Sequence, residues 1–473
     1  MTPLWTARDI AAATGGTASA DFEAHGVTFD SREVGPGDLF VALAGSTTDG
    51  HRYADAALAA GAAGLLVSAD VAGPQVRVAN TAAALEALAS AARDRAAALR
   101  IGVTGSVGKT GVKEALAKAL GRFAPGAVHA SVKSYNNHVG VPLSLARMPA
   151  ASRFGVFEMG MNHAGELTAL SALVRPNVAI VTWVASAHIE NFEDEAGIAR
   201  AKGEIFSGLS DGGTAILPHD NVHAPLLREA ASGAARLISF GLGDGADVRA
   251  ERFVLHPDCS CVTARLIHPE LGEERLTFKV GMAGRHWVSN ALAVLAGVWA
   301  AGGDLALAGL ALAELQDLPG RGARRRVAVG EGQAIVIDES YNANPASMAA
   351  SLAVLGEIAP SGRGRRLAVL GAMKELGPRS DEFHAGLAPD VVSSGAETII
   401  VVGNEMKALA AALGRKLEVR HVANAAEALL EIDLALRPDD VLLVKGSNSV
   451  GLGALVAALA ARRVAAGHEG GSE

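Results

Sequence analysis

Short apolar runs alternate with longer stretches whose apolar residues recur every three or four positions, and glycine-punctuated polar loops separate them. In the first hundred residues, segments 38–43, 64–67 and 76–78 read as strands, and 54–60 and 82–99 as helices. Further on, Ile101 and Val103 end a short buried strand. Val112, Ala115, Leu116, Ala119 and Leu120 then form one apolar face of a helix that Gly121 and Pro125 are expected to end. Segment 154–157 is a second strand, running into Glu158, and 178–184 a third. Between 245 and 283 the pattern changes to strict alternation, through 262–266 and 276–280, which predicts antiparallel strands. A helix is expected over 288–300 and a linker over 319–324. Segments 334–338, 367–370, 398–402 and 441–444 restart the short apolar runs. From residue 465 the chain is polar and glycine-rich, and a disordered tail is expected. Strands alternating with helices predict an α/β protein with parallel sheets.

Between the first strand of the middle region and its helix stands Thr104-Gly105-Ser106-Val107-Gly108-Lys109-Thr110. A glycine-rich turn at a helix N-terminus aims backbone N–H groups and the positive end of the helix dipole at one point, which suits phosphate. Lys109 is placed to reach outer phosphates and the Thr110 hydroxyl to hold Mg²⁺. The strict G-x-x-x-x-G-K-T pattern is not met, because Val103 holds its first position. The spacing of the glycines does not fit a dinucleotide fingerprint either.

In parallel sheets, ligands sit beyond the C-terminal ends of the strands. Gly105, Glu158 and His188 all fall at or just past such ends, so they can converge. A carboxylate near phosphate is a fit ligand for a hard cation, which makes Glu158 a candidate for Mg²⁺. In the first region, loops 29–37 and 45–51 read as turns. Their Ser31, Arg32, Asp49 and His51 could also grip an anionic or polyhydroxyl ligand.

Composition narrows this picture. A length of 473 residues suggests about three domains of ~150 residues each. Half of the residues are apolar and 19% charged, which describes a globular chain, and the net charge of −8 argues against a nucleic-acid surface. No apolar run approaches the ~20 residues of a membrane span, and no segment has signal-peptide layout. Cys259 and Cys261 form a lone C-x-C, too few for a disulfide framework and without a partner pair for a metal. A cytoplasmic protein is expected.

Four further stretches resemble the Mur ligases, which build the peptide of the cell-wall precursor. They are Asp30-Ser-Arg-Glu-Val-Gly-Pro-Gly-Asp-Leu-Phe40, Tyr135-Asn-Asn-His-Val-Gly-Val-Pro-Leu-Ser144, Glu158-Met-Gly-Met-Asn-His-Ala-Gly-Glu166 and Asp338-Glu-Ser-Tyr-Asn-Ala-Asn-Pro345. With the Thr104–Thr110 loop, the resemblance covers nearly the whole chain. It is strongest to the member that joins D-alanyl-D-alanine to UDP-N-acetylmuramoyl-tripeptide. It implies an α/β fold of three domains: a UDP-sugar-binding domain over 1–98, a central ATP-binding domain with a P-loop-type parallel sheet over 99–318, and a Rossmann-like domain over 319–473. It also implies ATP and Mg²⁺, an acyl-phosphate intermediate and attack by the dipeptide amine. A monomer without nucleic-acid or membrane partners is expected.

The resemblance further implies roles for single residues. Lys109, Glu158, His188 and Lys202 would be catalytic. Thr110, Glu158, His188 and Lys202 would hold metal, Lys202 through a carbamate formed on its amine. Asn290 would lie near adenine, Arg321 on the phosphates and Asp338 on the ribose. Ser31 and Arg32 would contact the uridine diphosphate part, while Asn136 and Asn137 would face the peptide or the metal.

The chain departs from the family's pattern at four places. Trp287 stands where an asparagine is frequent, Asn448 where arginine is common, His138 where some relatives have a carboxylate, and Gly111 where a second hydroxyl residue is usual. Three rival readings remain open. One is the preceding ligase, which adds the third residue, diaminopimelate or lysine; its diaminopimelate form carries a D-N-P-R motif that this chain lacks. The others are folylpolyglutamate synthase, which lacks the separate D-S-R domain, and a non-catalytic nucleotide-binding module.

Overall fold

Ile101 and Val103 are fully buried because the strand that carries them, Leu99–Thr104, has a neighbour on each side. Phe154–Glu158 pairs with it on one edge and Val178–Val181 on the other, both parallel. The chain thus leaves its first strand in opposite directions, which creates a topological switch point with a crevice beyond the strand C-termini. In the computed structural model, residues 2–45, 48–316, 318–414 and 417–462 are described. The tail expected from residue 465 lies outside them.

The central sheet has nine strands. Val128–Ala130 lies at one edge, followed by Phe154–Glu158, Leu99–Thr104, Val178–Val181, Thr214–Pro218 and Arg236–Gly241. The alternating segment forms three antiparallel strands, Val248–Leu255, Ser260–His268 and Gly272–Val280. These do not stand apart. Val248–Leu255 pairs in parallel with Arg236–Gly241, so the meander extends the same sheet. Successive side chains of a strand point to opposite faces, and both faces here are covered. Ile180 packs with Leu116 and Leu292 under helices Lys109–Phe123 and Arg285–Ala300. Val181 packs with Leu167 and Ile198 under Glu166–Val174 and Glu195–Gly203.

A smaller sheet within residues 17–77 has four parallel strands and one antiparallel edge strand, Thr17–Ala18. A third, six-stranded sheet runs from the hairpin Ala323–Val329 and Gly332–Glu339 through four parallel strands. The protein is α/β in three domains.

Several expected boundaries move. Helix Lys109–Phe123 passes through Gly121, where an added Cβ would meet nothing within 4 Å, and ends before Pro125. One glycine costs a helix about 1 kcal/mol, too little to stop a turn packed against the sheet. The third strand stops at Val181: Thr182 N–H still donates to the Thr104 carbonyl (2.8 Å), but the next carbonyl, of Trp183, is taken by Ser106 N–H of the phosphate loop. The helix expected over 82–99 is Thr81–Arg95, and Leu99 already belongs to the next strand. Ala323 and Arg324, expected in the linker, begin a strand. Cys261 lies on strand Ser260–His268 while Cys259 precedes it.

Candidate active site

The phosphate loop is fastened to the segment that follows strand Val178–Val181. Ser106 N–H donates to the Trp183 carbonyl (2.7 Å) and Ser106 Oγ to the Ala185 carbonyl (2.8 Å). The Thr182 hydroxyl contacts the carbonyls of Thr104 (3.1 Å) and Val107 (2.6 Å). Gly105 (φ 151°) and Gly108 (φ 85°) both have backbone conformations that favour glycine. A Cβ on Gly105 would also stand 2.0 Å from Thr182 Oγ1, and one on Gly108 2.7 Å from Asn290 Oδ1. Asn290 therefore lies against the loop. The Thr104 hydroxyl is buried and without a hydrogen-bond partner.

At the crevice side, the Thr110 hydroxyl donates to Glu158 Oε2 (2.9 Å), and Asn136 Nδ2 donates to Glu158 Oε1 (2.7 Å). Glu158 is 1% exposed. Lys109 Nζ donates to the Gly105 carbonyl (2.6 Å). Burial pulls the Lys109 ammonium below the usual lysine range; Arg321 adds to this and Glu158 opposes it. Arg321 reaches the same place from the linker: its Nη2 donates to Ser134 Oγ (3.1 Å), and its guanidinium lies 4.2 Å from the Tyr341 ring centre. Lys202, near the end of helix Glu195–Gly203, is 1% exposed, and its Nζ has no hydrogen-bond or ion-pair partner among the described residues. Burial first, and Lys109 second, hold its amine well below the usual lysine range. Lys109, Thr110, Glu158, Asn136, Arg321 and Lys202 are thus brought together. The Thr110 hydroxyl and Glu158 carboxylate are hard oxygen donors side by side, a fit for Mg²⁺. A buried amine whose protonation is disfavoured fits carbamate formation, and carbamate oxygens suit a hard cation better than an amine nitrogen.

His188 has a different neighbour. It sits at φ 59°, and its Nδ1 contacts Glu375 Oε2 of the C-terminal domain without the alignment of a hydrogen bond. Asp338, expected at the ribose, is committed locally. Its Oδ2 accepts from Gly320 N–H (3.0 Å), and its Oδ1 accepts from Ser340 N–H (3.2 Å) and Oγ (2.6 Å). It thereby shapes the linker that carries Arg321. Asn137 Oδ1 accepts from the N–H groups of Val139 and Gly140, at the start of helix Gly140–Ala146.

One loop connects the N-terminal domain to this crevice. Arg32 forms a bidentate pair with Asp30, which holds the Asp30 carboxyl down at about 2, and follows Ser31 on a short 3₁₀ turn. Glu33, next on that turn, contacts the Tyr135 hydroxyl (3.2 Å) and the Lys133 ammonium. Asn136, one residue on, is already on Glu158. His51 is held by Asp49 and by Ser68 N–H, within its own domain. Lys113 had no sequence signal beyond its place one helical turn after Lys109. It is fully buried, and its ammonium donates to the carbonyls of Ser131 (2.7 Å) and Lys133 (3.3 Å), which anchors that connecting loop.

The departures at 111 and 287 are two halves of one contact. A Cβ on Gly111 would stand 2.8 Å from Cη2 of Trp287. The indole occupies the room a larger residue at 111 would need. Helix Arg285–Ala300 also puts His286 and Trp287 into a cavity of about 270 Å³, which Met282, Gly322, Glu339 and Val354 line from both domains.

A phosphate loop at a switch point, a Thr–Glu pair beside it and a third domain in contact with that loop define a nucleotide-dependent enzyme of several domains. Profiles of the Mur ligase family's catalytic domain, middle domain and glutamate ligase domain match residues 23–101, 103–298 and 324–448. The UDP-N-acetylmuramoyl-tripeptide--D-alanyl-D-alanine ligase of Escherichia coli is 35% identical over 93% of this chain and 94% of that protein. A crystal structure of MurF from Acinetobacter baumannii superposes with a TM-score of 0.82 at 31% identity, covering 96% of this chain and 98% of that one. MurF ligase from Thermotoga maritima in complex with ADP gives a TM-score of 0.75 at 26% identity, over 92% of this chain and 96% of that one. The chain belongs to the Mur ligase family. Among the described residues no helix is long and apolar enough to cross a membrane.

Proposed function

We propose that this protein is the ATP-dependent ligase that joins D-alanyl-D-alanine to UDP-N-acetylmuramoyl-tripeptide, a step in the synthesis of peptidoglycan precursor. The observation that carries the reading is the unbroken path from the Ser31–Glu33 turn through Tyr135 and Asn136 to Glu158 and Thr110. A UDP-sugar held at Ser31 and Arg32 would lie at one end of it and ATP at the other. Kinship over nearly the full length, at 35% identity, supports the same substrates.

In this reading the loop from Thr104 to Thr110 cradles phosphate with its backbone N–H groups, and Lys109 and Arg321 place positive charge around it. Asn290 and the cavity beside Trp287 take the adenine side, and Asp338 holds the linker in shape for the ribose. Mg²⁺ at Thr110 and Glu158 would neutralise the approach of a carboxylate to the γ-phosphate. Lys202, once carbamylated, and His188 complete the ligand set. The peptide carboxylate takes the γ-phosphoryl group, the dipeptide amine attacks the acyl phosphate, and ADP and phosphate leave. Closure of the C-terminal domain about residues 319–324 brings the dipeptide to that carbon and excludes water. The reading includes a monomer in the cytoplasm and domains spanning 1–98, 99–318 and 319–473.

The test offers purified protein two mixtures with ATP and Mg²⁺, and product mass is read. One contains UDP-muramoyl-tripeptide and D-alanyl-D-alanine, the other UDP-muramoyl-dipeptide and free diaminopimelate or lysine. Product is expected only in the first, and none with Lys109→Ala. Product only in the second would make this the preceding ligase. Phosphate release in neither, with ATP still bound, would favour a non-catalytic module.

A further inference from the structure

Besides Arg321 at Ser134, the C-terminal domain meets the central domain at two places that bear on the phosphate loop and His188. Asn344 Nδ2 contacts the Ser106 carbonyl (3.4 Å) on the phosphate loop. The second place is Glu375, in the loop after strand Arg366–Gly371, whose carboxylate meets His188 Nδ1. The backbone reinforces that second contact: Glu190 N–H donates to the Glu375 carbonyl (3.2 Å), and a Cβ on Gly377 would stand 3.0 Å from Glu190 Cβ. Both partners are strained. His188 has φ 59° and Glu375 φ 63°, in the left-handed region that L side chains avoid. Two non-glycine residues of different domains adopt this conformation and aim their side chains at each other. The Glu375 side chain is 46% exposed. A polar contact so open to water is weak and gives no reason to keep strain on both sides. Strain of this kind persists where the surrounding structure over-determines it, and it clusters at functional sites.

We propose that Glu375 is the positioning residue for His188: the C-terminal domain supplies the carboxylate that fixes the imidazole through Nδ1 and leaves Nε2 free for a cation. The inference rests on the reading of His188 as a metal ligand together with Glu158. A ligating histidine commonly has its other nitrogen held by a carboxylate, which sets tautomer and ring orientation. Here the carboxylate arrives from another domain. The His188 ion site is therefore complete only when the domains are together, whereas the ion at Thr110 and Glu158 needs the central domain alone.

The test counts Mn²⁺ per chain by electron paramagnetic resonance, with a non-hydrolysable ATP analogue and UDP-muramoyl-tripeptide present, in wild type, Glu375→Gln and Glu375→Gly. Glycine suits φ 63° and keeps the turn, so loss of the carboxylate is separated from loss of the fold. Wild type should bind two ions. Both variants should keep the tighter ion at unchanged affinity and bind the second about 10–100-fold more weakly. In turnover, the Mg²⁺ concentration for half-activation should rise by a similar factor, while KM for ATP at saturating Mg²⁺ stays put. Two ions of wild-type affinity in both variants would overturn the inference alone. A single ion in wild type would overturn it together with the metal reading.

Discussion

Gly111→Ala sets two known effects against each other at the first turn of the phosphate-loop helix. Gly111 is inside helix Lys109–Phe123 and is not left-handed, so alanine alone should stabilise the helix by about 1 kcal/mol. The new Cβ would, however, stand 2.8, 3.2 and 3.6 Å from Cη2, Cζ2 and Cζ3 of Trp287. A rigid indole cannot yield as a flexible chain end does, and overpacking of this kind costs about 1–3 kcal/mol. The clash wins: a net loss of about 1 kcal/mol is expected, with a shift of helix Arg285–Ala300 away from the loop. Removing the ring reverses the sign, so Gly111→Ala placed on Trp287→Asn should regain the helix term. The coupling in this double-mutant cycle is then about 2 kcal/mol. For a cooperative unit of ~200 residues, ~1 kcal/mol moves the midpoint by roughly 2–4 °C, which thermal unfolding by circular dichroism resolves. ATP should protect Gly111→Ala less than wild type, because Thr110 and Asn290 flank the contact. Gly111→Ala melting above wild type with Trp287 in place, or effects that simply add, would refute the reasoning.

Lys202→Ala should lose about 10²–10³-fold in turnover, the scale of a lost transition-state stabiliser. Acetate or formate should restore part of it, and wild type in ¹³C-bicarbonate should give a carbamate NMR signal that the variant lacks; a wild type without that signal would exclude the modification. His129 predicts an acid limit. Burial pushes its imidazole down to about 4, and the ring keeps a bond to the Ser144 carbonyl (2.7 Å). Below pH ~6.5 the unfolded chain therefore takes up a proton that the folded one refuses, and stability falls by at most about 3 kcal/mol between pH 6.5 and 4. His129→Gln should lose most of that pH dependence in urea midpoints compared at pH 7.5 and 4.5; an unchanged dependence would show that His129 is not the group.

Local chemistry made much of this protein readable in advance. Gly105, Gly108, Lys109 and Thr110 are neighbours in the chain, and a strand–glycine–helix turn has few geometries, so the phosphate cradle followed from residues 101–120 alone. Glu158 could be placed because parallel strands end at one edge, and the end of an apolar run marks that edge. What tertiary structure decided lies between segments that no periodicity links. Gly121 could not stop a helix whose other face was buried against the sheet. The alternating segment read as antiparallel strands, but sequence pattern does not say which edge a strand joins, and Val248–Leu255 joined the central sheet. Lys113 is polar on an otherwise apolar face, and the loop carbonyls folded over it, with the Glu114 carboxylate beside it, explain why its charge is tolerated. The vacancy at Gly111 and the bulk at Trp287 read as two separate departures until the helices were brought together. His188 and Glu375 are far apart in the chain and in different domains. Their contact depends on how the C-terminal domain docks, and docking is set by summed packing across a whole interface rather than by any short run of residues.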